Sequence, residues 1–198
     1  MKNYKIWMFI TVLTIFACFT IYGGSNREGN GNIINEERTV GEFNAVTLNG
    51  IGEVNIHFSA NHRVVVTTDS NIQDTVTVVT ENNRLKASLK RNVNNVKVII
   101  DIYLPGIDMI NLKAVGSIEI ENGNGLDLEI RAASVGSIDL EKYCVENLTI
   151  TGSGFGDIKI WAINSLNGDL SGVGNIHYKG SPRMNMDISG VGRIKQIK

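Results

Sequence analysis

Ala114-Val115-Gly116-Ser117-Ile118, Ser134-Val135-Gly136-Ser137-Ile138, Gly154-Phe155-Gly156-Asp157-Ile158, Gly172-Val173-Gly174-Asn175-Ile176 and Gly190-Val191-Gly192-Arg193-Ile194 are five copies of one pattern, and Gly50-Ile51-Gly52-Glu53-Val54 is a sixth. Each copy reads small, apolar, glycine, variable, apolar. From Gly116 onward the shared glycine recurs after 20, 20, 18 and 18 residues. A fixed period of that length is the signature of a repeat architecture in which neighbouring units complete one core. The residues two and four after the shared glycine are apolar in nearly every copy: Val54 and Ile56, Ile118 and Ile120, Ile138 and Leu140, Ile158 and Ile160, Ile176 and Tyr178. Between them stand Asn55, Glu119, Asp139, Lys159 and His177. Alternation with period two makes each copy a half-buried strand. A second strand precedes the glycine, with apolar positions such as Leu126, Leu128 and Ile130, Leu148 and Ile150, or Met184, Met186 and Ile188.

The pattern predicts an all-β right-handed parallel β-helix, a β-solenoid with rungs of 18 to 20 residues and equivalent strands stacked about 4.8 Å apart. Gly52, Gly116, Gly136, Gly156, Gly174 and Gly192 become the structural corners. Glycine is expected there because a sharp corner asks for positive φ, and small residues two positions earlier let corner backbones approach. Between Gly52 and Gly116 the motif is absent for 64 residues. Strand-like runs at 64–66, 76–79, 85–89 and 96–100, with Asn82-Asn83 and residues 92–95 as turn signals, leave that part as degenerate rungs or as hairpins.

The chain has 198 residues and a formal net charge of -1. This balance gives no electrostatic footprint for nucleic acid. Lys2 and Lys5 precede an apolar run at 6–21, which reads as an export signal over residues 1–22. The run is shorter than the ~20 residues a spanning helix needs. Ile15-Phe16-Ala17-Cys18 resembles a bacterial lipobox, which makes Cys18 a candidate lipidation site and gives the chain an N-terminal lipid anchor; a plain signal sequence is the alternative. Residues 23–37 are polar and glycine-rich, a flexible linker, and 38–198 form the domain. With Cys18 acylated or removed, Cys144 has no partner for an intramolecular disulfide.

Several motifs resemble the GIN-domain family, described as auto-transporter adhesin head domains: Arg38-Thr39-Val40-Gly41-Glu42-Phe43, the Gly50-Ile51-Gly52 turn, Leu104-Pro105-Gly106, and the Ser-Gly-Val-Gly corners at Ser171 and Ser189. The resemblance covers about 38–198. It implies a right-handed parallel β-helix exported from a bacterial cell, and it supplies neither an activity nor catalytic residues.

Gly152-Ser153-Gly154-Phe155-Gly156 superficially resembles a phosphate loop, but a strand follows it where such a loop needs a helix N-terminus. His57, His62 and His177 lack metal-ligand spacing. The sharpest cluster is acidic. Glu119 and Glu121 stand three and five after Gly116, and Asp139 and Glu141 stand at the same offsets after Gly136. In register they gather four carboxylates on one outward face. Such a group could hold a hard cation or set an acid and a base about 5–9 Å apart for glycoside chemistry. The bland alternative is a solvated face, with Lys159 supplying counter-charge. Trp161 stands five after Gly156 on the outward column of Glu121 and Glu141, and could stack on a sugar or anchor a partner. The expectation is a non-enzymatic envelope protein at the periplasm or cell surface. It uses no cofactor or metal and binds a surface partner or glycan through Glu119, Glu121, Asp139, Glu141 and Trp161. The two alternatives are a carbohydrate-active enzyme using those carboxylates and an envelope scaffold that self-associates.

Overall fold

The computed structural model describes residues 27–90, 93–94, 96–172, 174–190 and 192–197. Its strands are β1 (Arg27–Glu28), β2 (Ile33–Arg38), β3 (Ala45–Asn49), β4 (Glu53–Phe58), β5 (Arg63–Asp69), β6 (Val76–Glu81), β7 (Arg84–Leu89), β8 (Val93–Asn94), β9 (Ile99–Leu104), β10 (Met109–Ile120), β11 (Gly123–Ser171), β12 (Ile176–Lys179), β13 (Arg183–Ser189) and β14 (Ile194–Gln196). A single 3-10 turn, Gln73–Thr75, is the one helical element among the described residues. The export signal and Cys18 lie outside them.

The expected right-handed parallel β-helix over 38–198 is not what forms, because the sheets are mixed. Parallel pairing joins the glycine copies: β4 to β10, β10 to β11, β11 to β12 and β12 to β14. Antiparallel pairing joins β2 to β5, β5 to β9 and β6 to β7. The difference lies in the stretch without the glycine motif. There one tight hairpin, β6 to β7, and two long-range antiparallel pairings, β2 to β5 and β5 to β9, replace the continuing turn. Asn82 and Asn83 both have positive φ, at 51° and 56°, between the paired residues Glu81 and Arg84. That is the two-residue hairpin turn whose backbone twist suits antiparallel strands, and asparagine tolerates it.

Where the copies do pair, they pair in register. Ile100 pairs Val54, Val54 pairs Ile118, and Ile118 pairs Ile138. Ile158 pairs Ile176, which pairs Ile194. All but the last are at most 1% exposed, while Ile194 is 39% exposed. The residue just before Gly52, Gly116, Gly136 and Gly156 is a core plug as well: Ile51, Val115, Val135 and Phe155 are buried in one continuous cluster. The 49-residue β11 would reach about 160 Å if straight. It instead bends back on itself, so that Gly156 lies against Gly136.

The glycines act through close approach. A Cβ on Gly116 would sit 2.2 Å from the carbonyl oxygen of Gly52, one on Gly136 2.1 Å from that of Gly116, and one on Gly156 1.8 Å from that of Gly136. Only a residue without a side chain fits between such backbones. The positive φ expected at these glycines lies instead two residues earlier, at Gly50 (71°), Ala114 (52°), Ser134 (56°), Gly154 (70°) and Gly172 (59°). The two roles expected at the corner are therefore exchanged: the shared glycine gives the close approach, and the small residue two positions earlier takes the positive φ.

The N-terminal side is held by a buried glutamine. Gln73 is 5% exposed, and its amide donates to the carbonyl oxygens of Ile34 and Val66 at 3.1 and 3.0 Å. Arg38 donates to the Gln73 side-chain oxygen at 2.8 Å and to its backbone oxygen at 3.0 Å. These bonds satisfy a polar group that would be costly to bury unpaired, and they fix β2 against the antiparallel half.

Candidate functional site

In-register pairing places outward side chains in columns. The column three after the shared glycine runs Asp101, Asn55, Glu119 and Asp139 through consecutive pairs, and continues beyond as Lys159, His177 and Lys195. The column five after the glycine starts with the pair Tyr103 and His57 and ends with the pair Trp161 and Lys179. The strand interior gives each column its pitch, and the buried isoleucines between them keep the outward residues facing solvent.

The four carboxylates singled out from the sequence do lie on this face, but each has a cationic or imidazole partner. Lys142 Nζ is 2.9 Å from Glu119 Oε1. Lys159 Nζ bridges Asp139 Oδ2 at 3.1 Å and Glu141 Oε2 at 3.3 Å. Lys179 Nζ is 3.1 Å from the other Glu141 oxygen. His57 Nδ1 lies 2.8 Å from Glu121 Oε2, and the Phe58 backbone N–H donates to Glu121 Oε1 at 2.8 Å. Trp161 is half-buried, with the Lys179 ammonium 5.9 Å from its ring centroid.

These contacts set the charge states. The His57 hydrogen bond, then the Phe58 N–H, hold Glu121 below the ordinary glutamate range. Hydrogen bonds from Lys179 and Lys159 do the same for Glu141. Hydrogen bonding to Glu119 raises Lys142, and bonding to Asp139 raises Lys159. A general acid for glycoside cleavage needs a carboxyl pushed upward so that it stays protonated. Glu121 and Glu141 move the opposite way, which suits neither of them to that role. The cation reading meets a similar obstacle, since lysines already neutralise the oxygens a metal would take. Among the described residues no group of three or more His, Cys, Asp or Glu side chains is set to hold a metal ion.

The structure adds residues that the sequence reading passed over. His57 Nε2 lies 3.4 Å from Asp101 Oδ1, and its ring stacks on Tyr103 with centroids 4.6 Å apart. The Arg63 guanidinium caps the other side of Tyr103, 4.0 Å from its centroid. Arg63, Tyr103 and His57 thus form a stacked row across β5, β9 and β4. His57 stands five after Gly52, so the rule that selected Trp161 selects it too. Asp101, Tyr103 and Arg63 belong to the stretch without a motif and carried no signal. Cys144 is half-buried, and desolvation, then the neighbouring Glu146 charge, keeps its thiol above the usual range.

Comparison with known proteins agrees with this framework. No curated protein matches the sequence. Among the described residues no helix is long and apolar enough to cross a membrane. A Bacteroides fragilis protein described as a putative adhesin is similar in fold, with a TM-score of 0.60, 24% identity, and coverage of 86% of this chain and 100% of that one. A Parabacteroides merdae protein, also described as a putative adhesin, gives 0.50 at 18% identity, covering 87% of this chain and 99% of that one. Residues 42–125 and 113–182 match the family model described as "Putative auto-transporter adhesin, head GIN domain". The chain therefore belongs to the GIN-domain family.

Proposed function

We propose that this chain is an exported, non-enzymatic cell-envelope protein that binds another surface molecule, an envelope protein or a glycan, through the outward face of β4, β9, β10, β11 and β12. Residues 1–22 direct export, Cys18 is the candidate lipid anchor, and the polar, glycine-rich stretch that follows tethers a folded domain whose sheet already includes β2, Ile33–Arg38. One observation carries the site assignment. The column five after the glycine has aromatic rings towards both ends, Tyr103 and His57 on one side and Trp161 on the other. Between them lie Glu121 and Glu141, already held by His57, Lys159 and Lys179. Aromatic rings on a rigid sheet supply contact area at low entropic cost, and charges fixed by neighbours need little reorganisation on binding. Exposed ion pairs of this kind contribute about 0–1 kcal/mol to stability, so the face can change without loss of the fold.

The test is a binding assay on arrays of envelope glycans and envelope proteins, comparing the wild type with a Tyr103→Ala/Trp161→Ala double variant. Binding to the selected partner should weaken at least about tenfold, the effect of losing an aromatic anchor, in a variant that still folds. Full retention of binding in a folded double variant would remove this face from the account.

A further inference from the structure

A second recognition feature lies away from that face, at the edge where β3, β5, β7, β9 and β10 meet. A cleft of about 450 Å³ opens there, bordered by Glu42, Asn44, His62, Asn83 and Asp108. A second cleft of about 280 Å³ shares Asp108 and continues to Asp127 and Asn147. The first falls within the ordinary size range of small-molecule sites, ~300–1,000 Å³, and the shared aspartate makes the two one track.

The rim is assembled from distant parts of the chain and fixed by hydrogen bonds. Asn44 Nδ2 donates to Asp108 Oδ2 at 2.6 Å. The Asp108 backbone N–H donates to the Asn44 oxygen at 2.9 Å, and the Asn44 N–H to the Asn83 oxygen at 3.1 Å. His62 Nε2 lies 2.8 Å from the Phe43 carbonyl oxygen; a carbonyl has no proton, so Nε2 is the donor. His62 also packs edge-on against Phe43, with ring centroids 4.9 Å apart. Further along, Asn147 Nδ2 donates to Asp127 Oδ1 at 3.0 Å and Asn147 Oδ1 accepts from Ser165 Oγ at 2.9 Å. The polar groups are therefore planar carboxylates and amides in preset orientations, each with donor or acceptor capacity left over.

Neither cleft is lined by a lysine or an arginine. The one lining carboxylate with an arginine partner is Glu129, 2.5 Å from Arg131 Nε. This differs from the face described above, where lysines and His57 balance every carboxylate. A ligand for the track must bring hydrogen-bond donors, and an anionic ligand would meet Glu42, Asp108 and Asp127 uncompensated. We propose that the track is a saccharide site that takes amino sugars first and neutral sugars second and rejects uronic acids. Vicinal hydroxyl and amino groups would donate to Asp108 and Glu42, and the Asn44, Asn83 and Asn147 amides would serve the ring substituents. It is a site separate from the Tyr103 and Trp161 face and does not depend on that face binding anything.

Isothermal titration of the full chain with tetramers of glucosamine, N-acetylglucosamine and galacturonic acid tests this. The glucosamine tetramer should bind most tightly, the N-acetylglucosamine tetramer more weakly, and the galacturonate tetramer not at all. Asp108→Asn should weaken glucosamine binding about tenfold, as expected when a charge-assisted bond becomes a neutral one, and N-acetylglucosamine binding by less. Glu42→Gln, an exposed change, gives the same readout should Asp108→Asn melt early. The Tyr103→Ala/Trp161→Ala variant should bind the glucosamine and N-acetylglucosamine tetramers with wild-type affinity, which separates this site from the proposed face. Absence of binding to both amino and acetylamino tetramers, preference for galacturonate, or wild-type glucosamine affinity in both Asp108→Asn and Glu42→Gln would each overturn the proposal.

Discussion

Gly136→Ala should destabilise the protein by about 3 kcal/mol or more, at or beyond the upper end of overpacking costs in a close-packed interior. The methyl group would have to occupy a point 2.1 Å from the Gly116 carbonyl oxygen and 3.2 Å from its carbon. Both are backbone atoms, so no side chain can swing aside. Moving either backbone breaks the parallel register in which Val115 pairs Val135 and Ser117 pairs Ser137. The disturbance also propagates, because Gly156 packs on the Gly136 oxygen in turn. For a domain of this size 3 kcal/mol lowers the melting temperature by roughly 6–12 °C, measurable by calorimetry. Gly106→Ala is the matched control. A Cβ there meets nothing within 4 Å, and its effect should stay within about 0.5 kcal/mol, as for surface changes generally.

Ile138→Ala should cost a further distinct amount, about 2–5 kcal/mol, the range for truncating a buried isoleucine. Ile138 is 1% exposed and sits in register with Ile118, which is equally buried. Removing its side chain leaves a void between stacked strands whose spacing the backbone hydrogen bonds hold fixed, so the site cannot collapse to fill it. The same substitution at the equivalent position of the last copy, Ile194→Ala, should cost under about 1 kcal/mol, because a side chain 39% exposed gives up little burial. Urea denaturation midpoints of the two variants measure the difference directly. Equal losses at both positions would mean that the copies do not share a graded core.

Those two predictions rest on what the sequence made legible. Period-two alternation around each glycine identified the inward residues Ile118, Ile138, Ile158 and Ile176, because burial on one face of a strand leaves a pattern in composition. The hairpin turn at Asn82-Asn83 left a signal for the same kind of reason, since few residues accept positive φ there. The antiparallel half was not legible as such. β5 pairs both β2 and β9, and nothing in the run Val64-Val65-Val66 encodes which neighbour it takes or in which direction. The mistaken β-helix came from the period of the copies after Gly116 and from the family resemblance, and it fails in the stretch where hairpins were the open alternative. The candidate face was half legible for a related reason. Glu119, Glu121, Asp139, Glu141 and Trp161 could be aligned by counting from a glycine. Lys142, which neutralises Glu119 from 23 residues away, stands outside the aligned positions. Tyr103 and Arg63, which complete the aromatic row, come from strands with no motif to count from. The cleft beside Asp108 left no pattern either, because Asn44, His62, Asn83 and Asp108 meet only through tertiary pairing.

The central structural claim is that successive copies lie side by side, parallel and in register. Cysteine cross-linking measures it most directly. In the full chain with Cys18→Ser and Cys144→Ser, a Ser117→Cys/Ser137→Cys pair should close an intramolecular disulfide on mild oxidation. The two residues pair in adjacent strands, and the ~4.8 Å between such strands falls within the Cα separation of about 4.4–6.8 Å that a disulfide spans. A Ser117→Cys/Asp157→Cys pair, one copy further apart, should stay reduced under the same conditions. Closure of the Ser117 and Asp157 pair, with the Ser117 and Ser137 pair left open, would contradict the register from which every outward column here is built.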